Sequence, residues 1–376
     1  MAYHTPGDTL LKAPSLTVPG LAEKRPGVIV GDKILVKNHG SQSTSWFSGY
    51  VHKVEQLRVG LRFSNSFSSF PGQKYDVRFC LGRIPLRRMH QALDSPFSPS
   101  RLLYPFDVHV IKKRPPTAQE VGALNVIDRK IRGNAMQKIA VTAIRAQEPG
   151  SPPFVVIGQY VPFILSSQKD ISYLCSPGTG KTVTIIEAIR QILLKNPQAR
   201  ILACAPSTSA SDIIADRLTV LGTPQLFHMN APSRMQSTLP KTLEPFSRKN
   251  DYGTFYVPPK EELMNFRVIV STCVSASIPY GIGVPRGHFT HIFVDEAGQA
   301  VEPESTIPIK TMADNQTNVI LSGDPKQLGP IVRSDLALSL KLGVSYLDRL
   351  CEMNLYDESQ MSGITYVNGV PPLDDL

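Results

Sequence analysis

The sequence predicts an α/β chain whose larger part holds a parallel sheet and whose first part is a small antiparallel β-barrel. Three observations carry that reading. Between residues 28 and 79, short β-branched or aromatic runs are separated by Gly, Ser, Asn and Pro clusters, with no helical stretch between them. From residue 134 onward, apolar runs alternate with helix-period stretches, as in strand–helix–strand units around a buried parallel sheet. Between two of these runs stands Ser176-Pro177-Gly178-Thr179-Gly180-Lys181-Thr182, a glycine loop that opens directly onto a helix.

Composition bounds what such a chain can do. Its 376 residues leave room for two or three domains, and 41% hydrophobic residues suffice for a proper core. A formal charge of +9 is a weak vote for a polyanionic partner, because solvated basic faces are common. Five scattered cysteines (Cys80, Cys175, Cys204, Cys273 and Cys351) with no Cys-x-x-Cys pair argue for a reducing compartment and against structural zinc. There is no basic apolar leader, and no apolar run near the roughly 20 residues that span a bilayer. The expected location is the cytoplasm, without a membrane partner.

Taken in order, residues 1–20 are rich in Pro, Gly and Thr and read as a flexible lead-in. The β-barrel is placed at 21–113, with strands near 28–36, 46–54, 57–63 and 75–79 and with Arg83, Arg87, Arg88 and His90 on its surface. Residues 114–133 form a connector that starts at Arg114-Pro115-Pro116 and continues as a charged helix over 118–132. The sheet domain occupies 134–355, beginning with a helix at 137–147 and a strand at 154–158. A helix at 183–195 follows the glycine loop and stops at Asn196-Pro197, and the next strand is at 200–205. The helix at 209–218 has Ser209 or Ser211 as N-cap. Residues 223–262 read as a basic loop excursion, and strands resume at 267–271, 291–294 and 318–321. Residues 356–376 lose all periodicity and read as an irregular tail.

The glycine loop offers backbone N–H groups, the Lys181 ammonium and the Thr182 hydroxyl together, the set that holds a triphosphate and its metal. Downstream, the apolar run from His291 to Val294 ends in two adjacent carboxylates, Asp295 and Glu296. Strand alternation sends them in different directions, so that one suits Mg²⁺ while the other polarises an attacking water. Alone, that pair reads best as an acidic strand end; the upstream loop changes the weighing. Gly323-Asp324-Pro325-Lys326-Gln327 follows another apolar run and suits a site beside the γ-phosphate, though a plain turn explains it equally well in isolation. The strand-end segments 205–210 and 271–273 offer hydroxyls and N–H groups suited to a nucleic-acid backbone, with an ordinary N-cap or turn as the equal alternative.

The ordered segments 176–182, 205–210, 271–273, 294–300 and 321–328 resemble the first motor half of the up-frameshift-like superfamily-one RNA helicases. The flanks Leu21-Ala22-Glu23-Lys24-Arg25-Pro26, Gly31-Asp32, Gly49-Tyr50-Val51-His52-Lys53-Val54-Glu55 and Pro85-Leu86-Arg87 resemble the β-barrel of the Moloney-virus-resistance and Armitage-type silencing helicases. The resemblance covers about residues 20–355 and implies a RecA-like P-loop NTPase domain that uses ATP and Mg²⁺ for 5′-to-3′ RNA unwinding. It implies Gln137, Gly158, Pro177, Gly178, Thr179, Gly180, Lys181 and Thr182 as nucleotide-binding residues, with Thr182 and Asp295 on the metal. Glu296 would be general base and Gln327 would couple hydrolysis to movement, beside Lys181 and Asp295 in the catalytic set. Ser207, Thr208 and Thr272 would face single-stranded RNA or an RNA duplex, although the family usually has Asn where Thr208 stands. Ribonucleoprotein or silencing factors are the further partners implied, around a monomer. A non-catalytic RNA- or protein-binding module and a related DNA helicase are the alternatives.

Two departures from the family pattern stand out. No second motor domain or late arginine motif follows residues 345–350, and an arginine finger is worth roughly 10³ to 10⁵ in rate, so the expected hydrolysis by this chain alone is feeble. The glycine loop also has Cys175 where the family begins it with glycine. Removing residues 159–175 would join Gly158 to Ser176 and restore the complete Gly-x-x-x-x-Gly-Lys-Thr loop, which marks that segment as an insertion or a translated intron. The competing account makes residues 171–174 the strand and Cys175 the substitute for glycine.

Overall fold

The computed structural model describes residues 15–17, 32–41, 45–54, 58–63, 74–80, 82–110, 116–158, 161–162, 173–174, 180–251, 253–325, 327, 329–332, 334–356 and 364–367. The chain divides into two compact units, Met1–Arg87 and Arg88–Leu376.

The first unit is a five-stranded antiparallel sheet built from β1 (Ser15–Thr17), β2 (Lys33–Asn38), β3 (Phe47–Val54), β4 (Arg58–Phe63) and β5 (Tyr75–Cys80), in the order β1-β4-β3-β2-β5. Period-two alternation sends Ile34, Val36, Val51, Val59, Leu61 and Phe63 into one core. The intervening position Lys37 and the β5 residue Arg78 flank Trp46, with their charged groups 5.4 and 4.4 Å from its ring centre. This is the barrel-type module expected, with β2 described from Lys33; residues 28–31 lie outside the described residues. One expectation is corrected: Arg83, Arg87, Arg88 and His90 lie on helix α1 (Arg83–Asp94), not on the sheet. Pro85 reads like a loop residue, yet in a helix's first turn its missing N–H has no partner to lose.

The second unit begins with the short helices α2 (Ser100–Leu103) and α3 (Ala118–Gly122), the latter closed by a capping box between Thr117 and Glu120. The connector expected to be helical over 118–132 stops being so at Ala123 and resumes only as a single 3₁₀ turn, Arg129–Ile131. Helix α4 (Ala135–Arg145) is N-capped by Asn134, whose side-chain oxygen accepts the Gln137 N–H at 3.1 Å.

The main sheet is assembled from β6 (Phe154–Gly158), β9 (Ile201–Ala205), β10 (Leu226–His228), β11 (Val268–Thr272), β12 (His291–Val294), β13 (Asn318–Gly323) and β14 (Ile364–Val367). Their order is β10-β11-β9-β12-β13-β6-β14, parallel at every pairing. Buried on both faces, its central strands read as continuous apolar runs: every residue of β9 and β13 is buried. Alternate residues feed two cores. Val156, Ala203, Phe293 and Ile320 pack on the side of α4, helix α5 (Lys181–Lys195) and helix α6 (Thr208–Leu218); Ile157, Leu202, Ile292 and Leu321 pack on the side of Ile309, Tyr346 and Leu350.

Three details differ from the sequence expectations. The stretch 223–262 supplies the edge strand β10, a three-residue element too short to stand out from its flanking loops. The tail contributes β14, where Ile-Thr-Tyr-Val is a strand-favouring run that pairs with β6. Residues 173–174, offered as the strand before the glycine loop, form β8 (Tyr173–Leu174), which pairs antiparallel with β7 (Val161–Pro162) in a separate two-stranded ribbon. The sheet strand that feeds α5 is therefore β6, ending at Gly158. The remaining residues of 159–175, and Ser176, Pro177, Gly178 and Thr179, lie outside the described residues.

Candidate nucleotide and nucleic-acid site

Because the sheet is parallel, the C-terminal ends of its strands emerge along one edge, the usual ligand edge of open α/β sheets. Gly158, Ser207, Thr272, Asp295 and Asp324 all follow or close strands there. Helix α5 opens on this edge with Gly180 as its N-cap, at φ 83 and ψ 14, a left-handed conformation that favours glycine. A side chain here would also displace Gln137. A Cβ at Gly180 would come within 2.5 Å of Gln137 Nε2. The Gln137 amide donates to the Gly180 carbonyl at 3.2 Å and to Thr184 Oγ1 at 3.0 Å, which fixes the glutamine against the start of α5.

Thr182, the second residue of α5, donates its hydroxyl to Asp295 Oδ2 at 2.8 Å. The other oxygen of Asp295 accepts from Ser322 Oγ at 2.9 Å and from the Glu296 N–H at 3.0 Å. Asp295 is 2% exposed, and each of its carboxylate oxygens is held by a neighbour in the site. These hydrogen bonds offset the cost of taking the carboxylate out of water. The parallel register explains the Ser322 contact: Leu321 pairs with Val294, so the next residues on β13 and after β12 stand side by side.

Glu296 breaks the strand course. Its φ of 54 and ψ of 34 lie in the left-handed region, which costs a non-glycine residue on the order of 1 kcal/mol. Its carboxylate Oε2 accepts from Gln299 Nε2 at 2.9 Å. Burial holds its pKa above the ordinary glutamate value and the neighbouring Asp295 charge adds to this, while Lys181 and the Gln299 hydrogen bond pull it back. Gly323 lets this corner close, since a Cβ there would lie 3.1 Å from Gly298 N and 3.3 Å from Ala297 N.

The site residues expected from the sequence thus fall into groups. Lys181, Thr182, Asp295 and Glu296 are brought together, with Gln137 seated behind Gly180. Gln327 bonds within its own turn, Nε2 to Asp324 Oδ2 at 2.8 Å. Ser207 is the N-cap of α6, in place of the expected Ser209 or Ser211, accepting from the Ala210 N–H at 3.1 Å; Thr208 is the exposed first residue of that helix. Thr272 Oγ1 donates to Ser275 Oγ at 3.1 Å. Since β9 pairs with β11, Thr272 opposes Ala205, two positions before Ser207, and the two hydroxyl segments are neighbours on the edge. Sequence reasoning left Ser322, Gln299 and Thr184 without roles. The first was findable from the register of two adjacent parallel strands; the other two depend on side-chain reach.

The donor set of a carboxylate and a hydroxyl, both hard oxygens, suits Mg²⁺, which takes one or two protein oxygens and completes its shell with water and phosphate. Among the described residues no cluster of three or more His, Cys, Asp or Glu forms an all-protein metal cage. No described helix is long and apolar enough to cross a membrane.

Comparison with known proteins bears on this site. The chain matches the family model "Helicase MOV-10, beta-barrel domain" over residues 5–79 and the "AAA domain" model over residues 134–252 and 233–335. It is 37% identical over 350 residues to "Putative helicase mov-10-B.1" of Danio rerio, covering 90% of this chain and 32% of that protein. It is 31% identical over 401 residues to "RNA helicase Mov10l1" of Homo sapiens, covering 94% and 32%. It is 30% identical over 376 residues to "Probable RNA helicase armi" of Drosophila melanogaster, covering 91% and 30%. The chain spans about a third of the length of these relatives.

Proposed function

Since the chain belongs to the family of the MOV-10, Mov10l1 and armitage helicases, we propose that its sheet edge binds ATP with Mg²⁺ and couples hydrolysis to movement along RNA. The observation that carries the reading is the Thr182–Asp295 hydrogen bond at 2.8 Å, which joins the helix after the glycine loop to the carboxylate at the end of β12 across 113 residues of sequence.

Each residue has a task. Lys181 and the backbone N–H groups at the start of α5 bind phosphate oxygens, and Gly158, Pro177, Gly178 and Thr179 are the further nucleotide-binding residues that the sequence resemblance implies. Thr182 and Asp295 would hold the metal, which neutralises charge developing on the phosphates when bound. Glu296, held at the edge by its left-handed backbone and by Gln299, takes the proton of the attacking water; a raised pKa makes it a stronger base once ionised. Gln137 turns its carboxamide oxygen to the base, its nitrogen being engaged with Gly180 and Thr184. Gln327 reports the state of the γ-phosphate through the turn it shares with Asp324. Ser207, Thr208 and Thr272 contact the RNA backbone on the neighbouring strand ends, and silencing ribonucleoproteins are the setting that the sequence resemblance implies.

RNA binding measured with and without Mg²⁺–ATP tests this. The expected result is an affinity for single-stranded RNA that shifts with nucleotide, a shift lost in Lys181→Ala, with a DNA strand of the same sequence binding more weakly because it lacks the 2′-OH. RNA affinity indifferent to both ATP and Lys181→Ala would contradict a motor and leave a passive binding module.

A further inference from the structure

Helix α5 carries a buried carboxylate that the nucleotide chemistry leaves unused. Glu187 is wholly buried, one turn beyond Thr184 on the same face of the helix. Its Oε1 accepts from the Ile127 N–H at 2.9 Å and from Gln191 Nε2 at 2.8 Å, and its Oε2 accepts from the Asp128 N–H at 3.0 Å. Gln191, one turn further on, donates the same nitrogen to the Asn125 carbonyl at 2.7 Å. All three groups around Glu187 are donors, so the position calls for an acceptor-only side chain; a carboxamide would set its own N–H against one of them.

Stability alone is a poor reason for that arrangement. Well-packed apolar residues in place of a buried charged group often serve a fold equally well, and α4 and α5 already share a core that contains Ala140, Ile144, Ile185 and Ile189. What the carboxylate adds is a fixed path for the main chain. Asp128 Oδ1 accepts from the Lys130 N–H at 2.9 Å, the Asp128 carbonyl accepts from the Ile131 N–H at 3.1 Å, and the Ile131 carbonyl accepts from the Asn134 N–H at 2.9 Å. Asn134 then caps α4 at Gln137, and Gln137 Nε2 returns to α5 at Gly180 and Thr184. The ring starts and ends on one helix, with Glu187 holding the first end and Thr184 the last. Moving residues 127–134 therefore moves the amide that Gln137 presents.

We propose that Glu187 is a positioning residue for base selection: by holding residues 127–128 it sets where Gln137 Oε1 meets the base of the bound nucleotide. This role rests on the assignment of Gln137 to the base. With Nε2 spent on α5, Gln137 offers the base an acceptor. The adenine 6-amino group supplies the donor it needs, whereas guanine has O6, a second acceptor, in the equivalent place. A displaced Gln137 loses that preference while the phosphate contacts at the start of α5 stay.

Calorimetric titration of the whole chain with the Mg²⁺ complexes of ATP, GTP and inorganic tripolyphosphate tests this, in wild type, Gln137→Ala, Glu187→Gln and the double variant. The expected result is that Glu187→Gln weakens ATP about tenfold and leaves GTP and tripolyphosphate within about twofold, so that the preference for ATP goes and phosphate affinity stays. Gln137→Ala should do the same, and the double variant should be no weaker than Gln137→Ala alone, as residues acting through one contact require. Equal weakening of all three ligands in Glu187→Gln, an unchanged ATP-to-GTP ratio, or additive losses in the double variant would each overturn the proposal. Should Glu187→Gln fail to fold, Gln191→Met decides: it removes one end of the same clamp and should lower the ATP-to-GTP ratio about threefold, and an unchanged ratio would overturn the proposal. Wild type that binds ATP and GTP alike, or Gln137→Ala that keeps a preference for ATP, would instead overturn the assignment of Gln137 and the role of Glu187 with it.

Discussion

The two edges of one parallel sheet solve the problem of buried polar groups in opposite ways. At the C-terminal edge, the Asp295 carboxylate is held by Thr182, Ser322 and the Glu296 N–H, and the backbone at Glu296 accepts left-handed strain to aim a second carboxylate. At the N-terminal edge, Gln147 and Asn318 spend their nitrogens on main-chain carbonyls and leave their oxygens unmatched. Burial acts on both. It pushes the Glu304 carboxyl, in the helical turn Glu302–Ser305 beyond the Asp295 corner, up to about 7, and it pushes His288 and His291 down to about 4. The C-terminal edge gives its buried carboxylate a full set of donors, whereas the N-terminal edge leaves two buried amide oxygens without one.

Substitutions at each edge sharpen that contrast, and the largest effect on stability is expected from Glu304. A carboxyl whose folded pKa is raised contributes stability that is present below its unfolded value near 4.5 and is lost as pH rises through about 7. Measured against Glu304→Gln, wild-type unfolding free energy should decline by as much as about 3 kcal/mol between pH 4.5 and 8 in denaturant titrations, a difference that leaves out the opposite, rising contribution of His288 and His291 common to both proteins. A Glu304→Gln profile that runs parallel to that of wild type would remove Glu304 from this part of the sheet's energetics. Next comes Ser322→Ala, which takes one donor from a buried carboxylate and should cost about 2 kcal/mol. Thermal unfolding should show it as a drop of several degrees, and Mg²⁺–ATP should recover part of the loss. The smallest effect belongs to the other edge: Lys195 donates to the Arg145 carbonyl at 3.1 Å from an exposed position, and Lys195→Met should cost about 0.5 kcal/mol or less. A loss as large as that of Ser322→Ala would mean the N-terminal edge is held by charge after all.

The same contrast separates what the sequence makes legible from what it does not. Lys181, Thr182, Asp295 and Glu296 sit in short motifs at strand ends, where local spacing and the parallel sheet together dictate a shared edge. Ser322 needed one step more, the register of β13 against β12. The exchange of Ser209 for Ser207 as N-cap, and of sheet surface for α1 as the seat of Arg83, Arg87, Arg88 and His90, are errors of one turn or one element, where neighbouring serines and an early proline offer competing starts. The cavity at the N-terminal edge was not legible at all. Arg145, Ile192, Phe289 and Asn318 come from four separate segments with no motif, and only the chain's path around the sheet brings them together.

Gly180, Lys181, Thr182 and Asp295 are proposed to form one nucleotide site. Calorimetric titration of ATP into the chain, with and without Mg²⁺, tests it most directly when wild type is set beside Lys181→Ala and Asp295→Asn. Saturable binding should fall on the order of 100-fold in Lys181→Ala, and the Mg²⁺-dependent part of the affinity should vanish in Asp295→Asn. Wild-type affinity retained in both variants would contradict the account.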